Sequence, residues 1–358
     1  MPETQDNLAI GQRLFSTATL VMVVNSLYSV STFFIDNFYS GETYSNDEFV
    51  AIDIEIKKRR LAPFVSPLHE GKLVETLPIE TRLFKPPYIK DKRIPDLKRP
   101  IRRMIGERIG GNDFTAQERY MYQIGMEVQD QLDCLKRRLE WMSVQSIVDG
   151  RIVVSGDGYP ETVVDFLRDP SLNIVLSGKS MWDDPDTIAD PKSDIRKWMA
   201  NIVKLSGSKI TDLIFTNSAF DALINNKNMQ QPLFISGLRG TSDVNMQMGP
   251  MIEVGGMFQG SWGGCRIWLY NEWFVDEKNQ EQPMIKDGMV IGISREIQGT
   301  IAYSAINNAE YGYLPVPYLA RMWPIHDPSN ICMMLESSPI PIMGRPNACF
   351  AARVAKGS

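Results

Sequence analysis

Histidine is nearly absent from this chain: among 358 residues, His69 and His326 are the whole supply. A zinc site built on imidazoles, or a catalytic triad with a histidine base, has little to draw on. Cysteine is scarce as well. Cys134, Cys265, Cys332 and Cys349 form no C-x-x-C pair. They point to four reduced, mostly buried thiols rather than to a disulfide framework. Long apolar runs are missing. The stretch from Ala18 to Ile35 is broken by Asn25, Ser26, Ser29, Ser31 and Thr32, and its longest unbroken run is Leu20–Val24. Spanning a bilayer takes about 20 predominantly apolar residues. Arg13 alone precedes the stretch, which makes a poor signal peptide. A packed arm or short helix is expected, and no membrane partner. A basic excess is also missing: 38 Lys and Arg stand against 43 Asp and Glu, a net charge of −5. Phosphate-gripping chains normally carry the opposite sign. Any DNA contact is expected to be local and non-specific.

What is present is ordinary globular composition. Hydrophobic residues make up 43% and charged residues 23%, which argues against wholesale disorder. The length exceeds what one core usually fills, so two or more domains are expected. Nineteen methionines suit irregular gaps and adaptable interfaces.

Residues 1–48 are acidic, with Arg13 against Glu3, Asp6, Asp36, Glu42, Asp47 and Glu48. They read as an N-terminal arm that needs a surface to lie on, and a neighbouring subunit can supply one. Residues 49–60 alternate. Val50, Ile52, Ile54 and Ile56 share one face, and Ala51, Asp53, Glu55 and Lys57 the other, as in a half-buried strand. Pro63, Phe64, Val65, Ser66, Pro67, Glu70 and Gly71 interrupt it before a second strand from Lys72 to about Phe84. A two-stranded hairpin is marginal alone in water. Its apolar face must meet its own domain or another chain. Residues 85–108 are basic. Lys98, Arg99, Arg102 and Arg103 lie at their centre, and Tyr88 is nearly the whole aromatic content. Base stacking is therefore not expected. A solvated connector, a nucleic-acid contact or an ion-paired subunit contact fits, with the acidic arm as a complementary charge.

The clearest helix follows. Thr115 and Glu118 make a capping box. Met121, Ile124, Val128, Leu132, Leu135, Leu139 and Met142 recur at steps of three and four, and Gly150 closes the run. Such a helix spans about 50 Å, far beyond the usual length. A hairpin, 151–166, comes directly after it. Residues 170–260 read as α/β. Asp190 and Pro191 start a helix lined by Ile195, Met199, Ile202 and Leu205. Leu213–Phe215 is a short strand running into a helix from about Asn217 to Asn228.

Four features invite chemistry, and each has a plainer reading. Ser177, Gly178, Lys179 and Ser180 follow a strand, as in a phosphate loop. The full motif needs a glycine where Asn173 stands and should open a helix. Gly255, Gly256, Gly260, Gly263 and Gly264 precede a strand and read as a turn or bulge. Asp183, Asp184, Asp186 and Asp190 lack calcium-loop spacing and read as caps and turns. His326 sits between Pro324 and Pro328 and reads as a turn residue. No catalytic residue, cofactor or metal ligand is selected.

With the residues laid out, a family likeness emerges. It is carried by Phe33–Phe38, by Pro63–Pro67, by Lys85–Lys90, by the long helix 115–149 and by Val164–Arg168. Further on it is carried by Trp182, Asp190–Ile195, Gly264–Tyr270, Trp273–Val275 and Met284–Gly292, and at the end by Pro328–Pro341 and Ala348–Val354. In that order they resemble the lambda-type major capsid protein E family of tailed phages. Ile325 and His326 depart from the pattern.

The resemblance implies an α+β chain with the tailed-phage capsid fold. It implies an N-terminal arm (1–48), an extended hairpin loop with basic connector (49–100) and a peripheral domain (101–169) with spine helix 115–149. An α/β axial domain (170–317) and a return to the peripheral domain (318–358) complete it, with Glu336–Pro339 as a structural turn in that return. It implies a non-enzymatic subunit of an icosahedral head in the virion, assembled in the host cytoplasm as hexamers and pentamers. Portal and scaffolding proteins, and a decoration protein, are the expected partners, with packaged DNA touched non-specifically. The expected assembly interface is Val50, Ile52, Ile54, Ile56, Phe64, Arg99, Arg102 and Arg103. An encapsulin-like nanocompartment shell shares the fold and is the alternative. A nucleotide-binding enzyme resting on Ser177–Ser180 is the remote one.

Overall fold

The computed structural model describes residues 32–55, 62–73, 79–96, 115–156, 159–184, 186, 188–226, 244–253, 256–276, 278–327 and 329–357. In chain order, helix α1 (Phe33–Phe38) leads into strands β1 (Gly41–Tyr44), β2 (Val50–Glu55), β3 (Ile79–Phe84) and β4 (Ile89–Arg93). Helix α2 (Ala116–Asp149) and the hairpin β5 (Arg151–Gly156) and β6 (Tyr159–Asp165) follow. Next come β7 (Asn173–Val175), α3 (Pro191–Leu205), β8 (Asp212–Phe215) and α4 (Asn217–Asn225). Then come β9 (Val244–Glu253), β10 (Gly256–Trp262), β11 (Cys265–Leu269), β12 (Trp273–Val275), β13 (Glu281–Pro283) and β14 (Met289–Ile293). The chain ends with β15 (Gly299–Tyr303), β16 (Leu319–His326), β17 (Ser329–Ser337), β18 (Pro339–Met343) and β19 (Cys349–Arg353).

The long helix forms where its local signals place it. Thr115 Oγ1 accepts from Glu118 N, and the Glu118 carboxylate accepts from Thr115 N, which closes the capping box. Such a cap contributes about 1 kcal/mol. At the other end Gly150 is left-handed, at φ 71°, a geometry that favours glycine. Arg168 then donates to the carbonyls of Ile147 and Val148, which have no partner within the helix.

The centre of the molecule is a seven-stranded mixed sheet in the order β7-β19-β14-β8-β11-β10-β9. Its middle strands are apolar on both faces, and the pleat sends alternate residues to different cores. Leu213, Phe215, Val290, Phe350 and Ala352 pack with Ile195 and Ile202 of α3 and with Ala219 and Leu223 of α4. Ile214, Ile291, Trp268, Cys349 and Ala351 face a second cluster that includes α1 and the apolar stripe of α2. The result is a layer of helices, a sheet, and a second helical layer. In the glycine-rich stretch, the β10–β11 register shifts between Phe258 and Gly260, and Gly263 and Gly264 turn with positive φ. A bulge and a turn therefore account for Gly260, Gly263 and Gly264, while Gly256 lies in β10 against Phe33 and Gly255 lies outside the described residues.

Strand pairing crosses the expected boundary at residue 318. β16 and β17 form a sheet with β4, and β18 pairs with β15, which itself pairs with β1. β19 leaves this group and enters the central sheet between β7 and β14. Its apolar residues are buried on both faces, which suits an interior strand and hides which sheet it joins. Helix 217–228 of the sequence reading ends at Asn225; residues 227 and 228 lie outside the described ones. Phe33–Phe38 of the expected arm lies on its own chain. Phe33 meets Trp268 at 5.2 Å and Phe34 meets Tyr270 at 5.1 Å, edge to face.

Candidate assembly interface

Hairpin β2–β3 is antiparallel, with Val50 opposite Phe84 and Glu55 opposite Ile79. Its base is fixed to the body. Val50 is buried in the chain's own core, Phe84 packs on Phe166 at 6.2 Å, and Lys85 ion-pairs with Glu48. Ile52 lies on β2 opposite Arg82, and Ile54 opposite Glu80. Ile56, Arg99, Arg102 and Arg103 lie outside the described residues. Phe64 belongs to the distal segment 62–73, which is exposed throughout. Phe64, Leu68 and Leu73 are each more than 90% exposed. A single exposed leucine is ordinary, but three large apolar side chains in one short segment are not.

A second exposed apolar surface lies beside α2. Trp141, Trp273, Phe274 and Val275, with Arg137 and Arg138, line a groove of about 490 Å³. Trp141 meets Phe274 at 6.4 Å, and the Arg138 guanidinium lies 5.4 Å over the Trp141 ring. Cation–π contact holds both groups at the rim.

Three buried carboxylates tie neighbouring elements of the body together, and the sequence reading missed them. Glu336 lies within strand β17, so the turn expected at Glu336–Pro339 is confined to Ser338. Its carboxylate takes Arg321 at 3.2 Å, Lys90 at 3.4 Å, Tyr88 Oη at 3.3 Å and Asn308 Nδ2 at 3.2 Å. Burial, with this carboxylate nearby, pushes the Tyr88 hydroxyl up to about 12. Asp212 takes Arg266 at 2.6 Å and Trp268 Nε1 at 2.8 Å. Glu140 of α2 accepts from Phe34 N at 2.8 Å, Ile35 N at 3.1 Å and Tyr270 Oη at 3.2 Å. It thereby satisfies two amides at the start of α1. Burial pushes Glu140 up to about 7, against those three hydrogen bonds. The available signal was a lone charge in an apolar run: Leu-Glu336 in β17, Asp212-Leu-Ile-Phe in β8, and Leu-Glu140-Trp-Met in α2. Buried charges persist only when paired.

The other chemical candidates resolve plainly. Ser177–Ser180 forms one 3-10 turn that ends at Met181, without the α-helix N-terminus that a phosphate loop uses. Asp190 caps α3 by accepting from Lys192 N. Among the described residues, no group of three or more His, Cys, Asp or Glu is placed to hold a metal ion. Among those residues, no helix is long and apolar enough to cross a membrane. His326 ends β16, opposite Ser329.

Comparison with known proteins fits this architecture. The sequence profile described as phage major capsid protein E matches residues 16–354. The major capsid protein of Enterobacteria phage P21 is 23% identical, over 95% of this chain and 99% of that protein. The major capsid protein of Escherichia phage lambda is 21% identical, over 96% and 99%. Among solved structures, a prophage protein of Escherichia coli CFT073 described as a capsid protein superposes with a TM-score of 0.71. It is 16% identical and covers 95% of this chain and 99% of that one. At that identity the superposition establishes the fold: that of tailed-phage capsid proteins.

Proposed function

The chain belongs to the phage major capsid protein E family, and we propose that it builds the icosahedral head shell of a tailed phage by self-assembly rather than by catalysis. The observation that carries the mechanism is the exposed tip of the β2–β3 hairpin. Its base is buried in its own subunit, and its tip presents Phe64, Leu68 and Leu73 to solvent. In this reading the tip reaches across a neighbouring subunit and buries those side chains there. Burying a large apolar side chain contributes about 1.5–3 kcal/mol before ordering costs. Repetition over many copies turns modest contacts into a closed shell.

The central sheet with α3 and α4 belongs, in this reading, to the axial domain at the centre of hexamers and pentamers. Helix α2 is the spine of the peripheral domain. Portal, scaffolding and decoration proteins are further partners of the virion capsid. The net charge of −5 keeps packaged DNA from adhering tightly to the wall.

Sedimentation velocity of the full chain tests the tip. The unsubstituted protein is expected to form fast-sedimenting particles. Phe64→Ser with Leu68→Ser is expected to leave slow species whose melting temperature matches the unassembled parent, because neither side chain has a core to lose. Normal particles from the double variant would refute the role of the tip.

A further inference from the structure

Two loops meet at the edge of the sheet β1-β15-β18 and leave four large apolar side chains in solvent. Tyr44, Phe49, Tyr313 and Leu314 are each 46–58% exposed. The loops are joined backbone to backbone. Ser45 N donates to Tyr303 O at 2.8 Å, Ala305 N to Asp47 O at 3.3 Å, and Ile306 N to Leu314 O at 3.2 Å. Tyr44 stacks on Tyr303, with centroids 5.5 Å apart, so its ring is positioned in advance. The rim is acidic, with Glu42, Asp47, Glu48 and Glu310 all exposed. Lys85 stands on Glu48, Arg321 is turned inward to Glu336, and the half-exposed Lys90 reaches the same carboxylate.

We propose that this acid-rimmed apolar patch docks the basic segment 97–114 of a second copy of the chain. The proposal rests on the shell-forming reading above and assigns one of its contacts. The segment interleaves Lys98, Arg99, Arg102, Arg103 and Arg108 with Leu97, Ile101, Met104 and Ile105, and carries Glu107 and Asp113 as its acids. That alternation complements apolar rings set among carboxylates. It suits DNA less well, since the segment's one aromatic is Phe114.

The segment's own ends are placed far from the patch. β4 begins beside it, with Ile89 opposite Ser337 and Ser338 O accepting from Ser304 N. By Asp96 the strand direction has carried the chain ~23 Å away. Thr115 starts α2, and the helix reaches the level of Tyr39, just before β1, at Ser146. That is ~45 Å along the helix axis. Eighteen residues span ~60 Å fully extended. A visit to the patch within one subunit would use most of that length, since β4 lies along the first half of α2, with Gln131 Nε2 donating to Asp91 O. A neighbour's segment carries no such tether.

The test uses the full chain with Cys134→Ser, which removes the exposed thiol and leaves three buried ones. Asn46→Cys and Arg103→Cys are made in separate chains, mixed before assembly and oxidised afterwards. The expected result is a disulfide-linked dimer at least tenfold more abundant in the mixture than in either variant alone. In parallel, Glu48→Lys with Glu310→Lys should slow assembly about tenfold, and adding Arg102→Glu and Arg103→Glu should restore it to within twofold. Shells without the mixed dimer would overturn the inference and leave the shell reading standing. So would Arg102→Glu with Arg103→Glu chains that assemble at the parental rate and lose only DNA retention. Absence of shells from the unsubstituted chain would overturn both.

Discussion

Glu140 holds α1 against α2 with a carboxylate that is 3% exposed. Its neighbours are the Phe34 and Ile35 amides, the Tyr270 hydroxyl and, at longer range, Asp36. Burial raises its pKa from 4.5 to about 7, so folding favours the protonated form. Its contribution to stability is complete below about pH 4.5 and is lost as pH rises through about 7. The shift corresponds to about 3 kcal/mol. Glu140→Gln is therefore expected to flatten the fall in melting temperature between pH 5 and pH 8, at the cost of the hydrogen bond to one α1 amide, which the Gln Nε2 cannot accept. An unchanged slope in the variant would show that Glu140 does not titrate this way. This residue was not legible in the sequence. A single glutamate in a long helix looks like any solvated charge until the aromatic helix that covers it is placed. Asp212 and Glu336 were hidden for the same reason: their partners are Arg266 and Trp268, and Arg321 and Lys90, on other strands.

Elements with local determinants were legible. Helix α2 followed from its capping box, its apolar stripe and Gly150, all within one segment. The β2–β3 hairpin followed from period-two alternation. Partners were another matter. β19 reads as an apolar strand, yet nothing in Cys349–Arg353 says that it pairs with β7 and β14 rather than with its sequence neighbours. The approach of α1 to β15 was equally silent, and it depends on Gly299. A Cβ at that position would sit 2.1 Å from Phe38 O and 3.0 Å from the Tyr39 ring. The obstacle is backbone, which cannot rotate aside. Gly299→Ala is expected to destabilise the unassembled chain by about 1–3 kcal/mol, as overpacking does, and to lower its melting temperature accordingly. A melting curve identical to the parent would mean that α1 can lift from the sheet without cost.

At the scale of the whole molecule, the described residues hold two apolar clusters on opposite faces of one sheet, plus exposed apolar surface at the hairpin tip, in the groove beside α2 and at the patch around Tyr44. A chain that lived alone would gain nothing from displaying them. The composition had already left little for histidine chemistry or a disulfide framework to draw on, and confined any nucleic-acid contact to a local basic segment. The ordered likeness along most of the chain named the fold. The tip was readable as a proline-broken turn containing Phe64. The contact of Phe84 with Phe166 that holds its base was not, because it joins parts of the chain separated by the whole of α2. The central claim is that these surfaces exist to be covered by other copies of the same chain. Electron microscopy of the purified full-length protein tests it most directly. Icosahedral shells, or five- and sixfold capsomer rings, are the predicted result, and a population of single subunits that persists at high concentration would contradict it.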